Sequence, residues 1–400
     1  MEHTKRKGFI IWRKDLNHIN KTRDNHLSRL GQYFSLTLVV NTSSIVSDFI
    51  SHHGTRVVYV SGGQGFIGLL VFYAKGIVWF LRKHKKNPFH FILVPVGEEP
   101  IGWLLHLLTL KRVPLVYDLW DIPGSVLPAE KLTLKELIRP LYQCLLGVQL
   151  RNGNIFIAGM LPEGLKPFKI SPARIIFSES GYNAEFFRPS IEKNTRIWPR
   201  REATVNILYV GYLHAARGLH ESVEAIKEVH ENGVGAYLVL IGPGSPESIS
   251  EMKELIKNYG LEDWIVLHDP LPSDEIPGII AGSDICLCPL QDISKYRWSV
   301  SNKIYEYLAM GKPVLATDLP GNAYLIKDGF NGYLYPANDS ETLASHITNL
   351  ALNSHLRENL SKNALASVKN KNWESVVENL AMDLMNRLTE GTRTKPSFEC

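Results

Sequence analysis

The sequence predicts an α/β protein built as two doubly wound domains with parallel sheets, and three observations lead there. The chain has 400 residues, whereas one core ordinarily serves about 100–200 residues, so two domains are expected. Short apolar runs rich in β-branched residues alternate in both halves with stretches of helical length and period, the pattern of a parallel sheet covered on both faces. Between the halves, "RPSIEKNTRIWPRREATVN" (Arg188–Asn206) breaks any apolar period with two prolines and mixed charges and reads as a linker. The expected division is an N-terminal domain over 1–188, a linker over 189–205 and a C-terminal domain over 206–372. A helix over 373–388 is expected to pack back on the N-terminal domain, and the tail 389–400 has too little apolar surface to order itself.

In chain order, the N-terminal strands are expected at "GFIIW" (8–12), "SLTLVV" (35–40), "RVVYV" (56–60), "FHFILVPV" (89–96), "PLVYD" (114–118), "NIFIAG" (154–159) and "RIIFS" (174–178). The C-terminal half has the clearer rhythm, with strands at "NILYVG" (206–211), "AYLVLIG" (236–242), "WIVLHD" (264–269), "DICLCP" (284–289), "PVLATD" (313–318) and "GYLYP" (332–336). Helices follow over Ser340–Leu352, Ser354–Lys369 and Trp373–Leu388.

Composition excludes several classes. Apolar residues make up 44% and charged residues 21%, as in ordinary globular chains, and a formal charge of +4 gives no case for a nucleic-acid partner. Cys144, Cys286, Cys288 and Cys400 lack a metal-binding pattern, which suits a reducing cytoplasm. The five-residue apolar run after the basic start is too short for the core of an export signal. "FIGLLVFYAKGIVWFL" (66–81) runs into Arg82, Lys83, His84, Lys85 and Lys86. It falls short of the ~20 residues of a spanning helix and carries Lys75 near its middle. Two readings stay open: a helix buried against its own sheet, and a peripheral contact with anionic membrane through 66–86.

The binding chemistry is expected where loops leave the carboxyl ends of the strands, since each helix of an open α/β sheet starts there. "SNKIYEYLAMGKPVLATD" (301–318) places a helix start after the strand "DICLCP", with its first N–H groups and Lys303 facing the crevice. Ile304 and Leu308 mark the buried side of that helix, while Asn302, Lys303 and Glu306 share the other. A carboxylate one turn behind a phosphate-binding helix start suits a ribose diol, because it only accepts hydrogen bonds. On spacing alone, Lys303 and Glu306 are equally a surface pair of little energetic value.

Two further loops lie on the same sheet edge. "GYLHAARGLHESVEAI" (211–226) has glycines for tight turns at Gly211 and Gly218, and Arg217 stands before the next helix, where its fork suits phosphate oxygens. "IGPGSPE" (241–247) brings Gly242, which lets a ligand approach the backbone. Together the loops describe a nucleoside diphosphate site. No Walker lysine loop and no Gly-x-Gly-x-x-Gly after the first strand is present, against an ATPase or an ordinary nicotinamide enzyme. No His-Glu-x-x-His and no Gly-x-Ser-x-Gly occurs, so neither a zinc hydrolase nor a serine hydrolase is indicated.

These residues resemble the retaining glycosyltransferases of family four (glycosyl transferases group 1), well over Asn206 to about Leu350 and in outline before it. The resemblance implies the GT-B fold, two Rossmann-like domains facing a central cleft. It also implies transfer of a sugar from a nucleotide diphosphate-sugar, UDP- or GDP-linked, to an acceptor hydroxyl, without metal or other cofactor. The acceptor would be a growing or lipid-linked glycan, as in cell-surface polysaccharide or glycolipid synthesis.

"GYL" and "RG" stand at Gly211–Leu213 and Arg217–Gly218 where the family has Gly-Arg-Leu and Lys-Gly, so Arg217 takes the place of the lysine that grips the diphosphate. Glu306 matches the ribose-binding glutamate, and Ser301, Asn302 and Lys303 replace the usual small residues beside the phosphates. Trp298 stands where the family often has a glutamate that touches the sugar. In "VPLVYDLWDIPG" (113–124), Trp120 and Asp121 stand in place of a His-Asp pair. Asp121 or Asp118 could orient the acceptor hydroxyl or steady positive charge on the sugar; Asp121 is equally placed to cap the following segment. Glu98 and Glu99 follow a strand and could lie near the acceptor path. The departures at Trp298 and Trp120 keep open a second reading, a GT-B chain that binds nucleotide-sugars or scaffolds without catalysis.

Overall fold

The computed structural model describes residues 5–12, 27, 29–41, 55–62, 65–95, 97–120, 144–151, 153–198 and 205–390. The chain divides into two compact units, the first comprising Met1–Glu179 with Trp373–Cys400 and the second Ser180–Asn372.

Unit 1 holds seven parallel strands: β1 (Lys7–Trp12), β2 (Ser35–Asn41), β3 (Thr55–Val60), β4 (Phe91–Pro95), β5 (Leu115–Leu119), β6 (Ile155–Ala158) and β7 (Ile175–Phe177), in the order β3-β2-β1-β4-β5-β6-β7. Unit 2 holds six: β8 (Val205–Val210), β9 (Ala236–Ile241), β10 (Ile265–His268), β11 (Ile285–Cys288), β12 (Val314–Thr317) and β13 (Gly332–Tyr335), in the order β10-β9-β8-β11-β12-β13. In each sheet the order reverses beside the unit's first strand, between β1 and β4 and between β8 and β11, the switch points at which such sheets open a ligand crevice. Both sheets are therefore doubly wound, as the alternation of apolar runs and helices predicts.

The strands are buried because both faces of each sheet are covered. In unit 1, one face of the sheet packs Ile10, Leu38, Leu93 and Ile157 against Trp373, Val377, Leu380 and Leu384 of the final helix, Trp373–Glu390. The other face packs Phe9, Ile11, Ile92 and Leu115 against two helices, α1 (Gly65–Lys86) and α2 (Glu99–Leu108), and against helical residues 144–151. Gly68, Phe72, Gly76 and Phe80 form the buried stripe of α1 at a spacing of four, the period of one helix face. A Cβ at Gly76 would lie 2.7 Å from the Ile11 side chain, so glycine lets α1 pack close on β1.

Unit 2 is covered by α3 (Leu219–Glu231), α4 (Pro246–Asn258), α5 (Ile276–Gly282), α6 (Asn302–Ala309), α7 (Ser340–Leu352) and α8 (Ser354–Ser367). Helix α3 shows how the sequence sets this face: Leu219, Val223, Ile226 and Val229 are fully buried at spacings of three and four, with glutamates between them.

The boundary between units falls at Glu179/Ser180, ahead of the expected linker. Its residues to 198 pack on unit 2: the Asn194 N–H donates to the Gly278 carbonyl at 2.9 Å, and Trp198 is buried where a Cβ on Gly282 would strike its ring. Mixed charge and proline thus mark a segment that lies across a domain surface as readily as a free tether. Thr389 and Glu390, assigned by the sequence to the tail, complete the last helix; 391–400 lie outside the described residues.

Candidate functional site

The crevice of unit 2 opens where β8 and β11 part. These strands pair only over Ile207, Leu208, Ile285 and Cys286, after which one chain turns into the loop before α3 and the other into the loop before α6. Val210, beyond the paired stretch, donates its N–H to the Tyr307 hydroxyl of α6 at 2.9 Å. That bond ties the end of β8 to α6 and satisfies a backbone donor the parting strands would leave open.

Two glycines permit the approach of the loops. Gly218 has φ +68, and a Cβ there would lie 1.7 Å from the Pro289 carbonyl oxygen, so only glycine lets the turn before α3 touch the end of β11. A Cβ at Gly211 would lie 2.7 Å from the Lys303 ammonium. The third loop joins them: the Gly211 N–H donates to the Ile241 carbonyl at 2.8 Å, the Leu213 N–H to that of Pro243 at 2.7 Å, and Gly242 sits flush against Gly211. Gly211, Arg217, Gly242, Ser301, Asn302, Lys303 and Glu306 thus belong to loops and a helix start on one sheet edge.

Lys303 is the centre of the arrangement. Its Nζ is buried without a hydrogen-bond partner and lies 3.9 Å from the centre of the Tyr209 ring. Burial, the main cause, lowers the ammonium to about 8, with Cys288 and Glu306 opposing and Arg217 adding to the effect. The Arg217 guanidinium lies 4.5 Å from the Tyr296 ring centre, and its Nε is likewise buried without a partner. A ring face attracts a cation by about 1–2 kcal/mol when water is excluded, less than a buried charge loses by leaving water. Two cations therefore stand short of acceptors in one crevice.

Glu306, half-buried on the next turn, makes no ion pair with Lys303, which rules out the surface-pair reading. Burial raises its carboxyl to about 7 against the opposing pull of Lys303. Ser301 is the N-cap of α6 but gives the helix no side-chain hydrogen bond, and Asn302 beside it is half-buried. The helix end therefore keeps the positive pole that attracts anions. Around it, the Thr317 hydroxyl donates to the Leu290 carbonyl at 2.7 Å, and Asn322 donates to the Thr317 carbonyl at 2.9 Å, fixing the loops after β11 and β12 to each other. Gln291 in the former donates to Glu221 of α3 at 2.8 Å. Trp298 is half-buried in the same loop.

In unit 1, Asp118 is fully buried at the carboxyl end of β5, and neither of its oxygens has a hydrogen-bond partner. Asp121 lies outside the described residues. Glu98 and Glu99 are both buried after β4; the Tyr73 hydroxyl donates to Glu98, and the Gly97 N–H donates to Glu99 at 2.8 Å. Among the described residues no cluster of His, Cys, Asp and Glu could hold a metal ion.

Sequence reasoning missed Tyr209 and Tyr296, the rings beneath the two cations. Each reads as a core aromatic in its own segment, and only the fold brings them under side chains 94 and 79 positions away in the chain.

Residues 204–353, which carry the crevice of unit 2, match the family model described as glycosyl transferases group 1. Those residues form a glycosyl transferases group 1 domain within the C-terminal unit. A Salmonella typhimurium protein named as a colanic acid biosynthesis glycosyltransferase, WcaL, is 26% identical over 240 residues, 59% of this chain and 55% of the relative. The alpha-D-kanosaminyltransferase of Streptomyces kanamyceticus is 28% identical over 158 residues, 40% of this chain and 39% of the relative. The chain thus spans about half or less of the length of the curated relatives it matches. The crystal structure of Anabaena HepE in complex with UDP and glucose superposes with a TM-score of 0.72 at 16% identity, covering 95% of this chain and 100% of that one. The two doubly wound units beside the group 1 domain match are accordingly those of the GT-B fold.

Proposed function

We propose that the group 1 domain binds the nucleoside diphosphate of a nucleotide-sugar and that the protein transfers the sugar to an acceptor hydroxyl, in the synthesis of a cell-surface polysaccharide, glycolipid or lipid-linked glycan. The observation that carries this is the Lys303 ammonium, buried without an acceptor next to Arg217 and the open start of α6. A diphosphate supplies the missing acceptors for both cations and the helix end together.

In this reading Arg217, Lys303 and the N–H groups at Ser301 and Asn302 meet the charge that grows on the leaving diphosphate. Donors already in place act without reorganising during the reaction, the usual source of the largest catalytic effect. No metal is needed for that neutralisation. Glu306 accepts from the ribose hydroxyls, and Gly211 and Gly242 give the ligand close access to backbone. The acceptor side falls to unit 1, where the unpartnered carboxylate of Asp118, with Asp121, orients the attacking hydroxyl or steadies the positive charge on the sugar. Attack from the face the nucleotide leaves would retain the anomeric configuration. The ligands in the HepE structure and the name of the Salmonella relative favour a UDP-linked donor and a polysaccharide product. A cytoplasmic site of action agrees with the free thiols Cys144, Cys286 and Cys288.

Incubation with labelled UDP- and GDP-sugars and a panel of glycan acceptors tests the reading. Release of nucleoside diphosphate with labelled product supports it. Binding without release would instead establish a nucleotide-sugar-binding protein, the alternative that Trp298 and Trp120 keep in view.

A further inference from the structure

The outer face of the helical layer of unit 1 is apolar. Helix α1, helix α2 and residues 144–151 share one layer, since Phe72 and Phe80, Leu105, and Leu146 and Leu150 enter the same core. Away from that core the layer exposes Phe66 (75%), Ile67 (76%), Leu70 (53%) and Val78 (47%) of α1, Leu104 and Leu108 of α2, and Leu145 and Val148. Of the seventeen large apolar side chains exposed among the described residues, eleven lie on this layer or at the end of α2. Single exposed apolar residues are ordinary, but a concentration on one face marks a contact surface.

Charge identifies the partner. Helix α1 has no acidic residue, carries Lys75, and ends in Arg82, Lys83, Lys85 and Lys86, all exposed. Lys111 and Arg112 follow α2, whose one acid, Glu99, is buried. Beside α1 a recess of about 650 Å³ is lined by Tyr59, Ser61, Lys75, Trp79, Arg82 and Lys83, among others. The Lys75 ammonium donates to the Ser61 carbonyl at 2.7 Å, and that of Lys83 lies 6.0 Å from the Trp79 ring centre. Exposed aliphatic and phenyl groups next to a cation cluster and a tryptophan complement the boundary between acyl chains and anionic headgroups.

We propose that this face of unit 1 docks on an anionic phospholipid bilayer, with α1 lying along the surface and the recess beside it receiving a phosphate-bearing headgroup. The apolar run 66–81 alone reads as too short to span, but the whole of α1, at 22 residues, is long and apolar enough to cross a membrane. Its Phe72 and Phe80 are nevertheless fully buried and Gly76 is flush against Ile11, so it lies on the bilayer as part of the domain rather than spanning it. The proposal does not depend on sugar transfer.

Co-sedimentation of the full chain with phosphatidylcholine vesicles, with and without phosphatidylglycerol, tests it. Binding is expected to the anionic vesicles at low salt and to weaken as salt rises. Arg82→Glu with Lys83→Glu should lower the partition coefficient about thirtyfold or more, taking ~1 kcal/mol for each cation removed from the surface. Phe66→Ser with Ile67→Ser and Leu70→Ser should lower it ~tenfold or more. Circular dichroism melts check that these surface variants fold. Three results would each overturn the proposal: no binding to anionic vesicles at low salt, binding of folded variants at wild-type strength, or release of the protein by free glycerol phosphate. So would a dimer in light scattering that dissociates in the Phe66 triple variant, since a second copy would then cover the face.

Discussion

The Lys303 ammonium rests 3.9 Å from the centre of the Tyr209 ring, buried and without a hydrogen-bond acceptor. A cation held in this way is costly until an anion arrives, and that cost should be measurable in the empty protein. The folded-state value of about 8 lies below the ordinary 10.5, so between those values the unfolded chain holds more protons than the folded one. Stability therefore rises with pH through that window, and the full cost of the charge is present below about 8. Lys303→Met should raise ligand-free stability at neutral pH, by on the order of 1–3 kcal/mol. Its advantage should shrink as pH climbs toward 10.5. Thermal or urea melts across that range check both.

Nucleotide affinity should depend on pH in a bell shape. Glu306, raised to about 7, must ionise to accept from a ribose, so affinity climbs as pH rises to that value. Lys303, at about 8, must stay charged to hold phosphate, so affinity falls above it, and binding there takes up a proton. Calorimetry in buffers of different ionisation enthalpy reads the proton uptake directly.

The two ends of the ligand should separate by mutation. Glu306→Ala is expected to weaken UDP or GDP binding by roughly tenfold, the loss of one or two hydrogen bonds to a charged group, and to leave inorganic pyrophosphate binding unchanged. Arg217→Ala should weaken both ligands. Competition assays with pyrophosphate distinguish the cases; equal loss of both ligands in the Glu306 variant would remove the ribose assignment.

Two substitutions away from charge test the frame of the crevice. Gly218→Ala must push a methyl group against the Pro289 carbonyl at a φ of +68, and should cost about 2–4 kcal/mol of stability. Tyr307→Phe leaves the Val210 N–H without its partner and should cost about 1–3 kcal/mol. Denaturant unfolding measures both.

Much of this was legible in the sequence because it is local. The strand "NILYVG" ends in a glycine whose φ and neighbours require one, and α6 shows its buried side in Ile304 and Leu308, both fully buried. The parallel order follows from apolar strands separated by helices, and the sheet edge that holds the candidate loops follows from the order. What was hidden depends on packing between distant segments. Spacing placed Lys303 beside Glu306, yet the ammonium turns to Tyr209 from another strand, and Arg217 turns to Tyr296. Proline and mixed charge marked a linker without showing that Asn194 and Trp198 in it lie on unit 2. The apolar run at 66–81 was readable as a helix, but only the buried stripe through Phe72 and Phe80 shows which apolar residues remain outside.

The most direct test of the central claim is calorimetric titration of UDP and GDP into the wild-type protein and the Lys303→Met variant, at a pH between the two ionisations. The account predicts a single saturable site for one of the nucleotides in the wild type. In the variant it predicts at least ~tenfold weaker binding, together with the higher ligand-free stability. A folded Lys303→Met protein that binds the nucleotide as tightly as the wild type would contradict it, as would a wild type that binds neither.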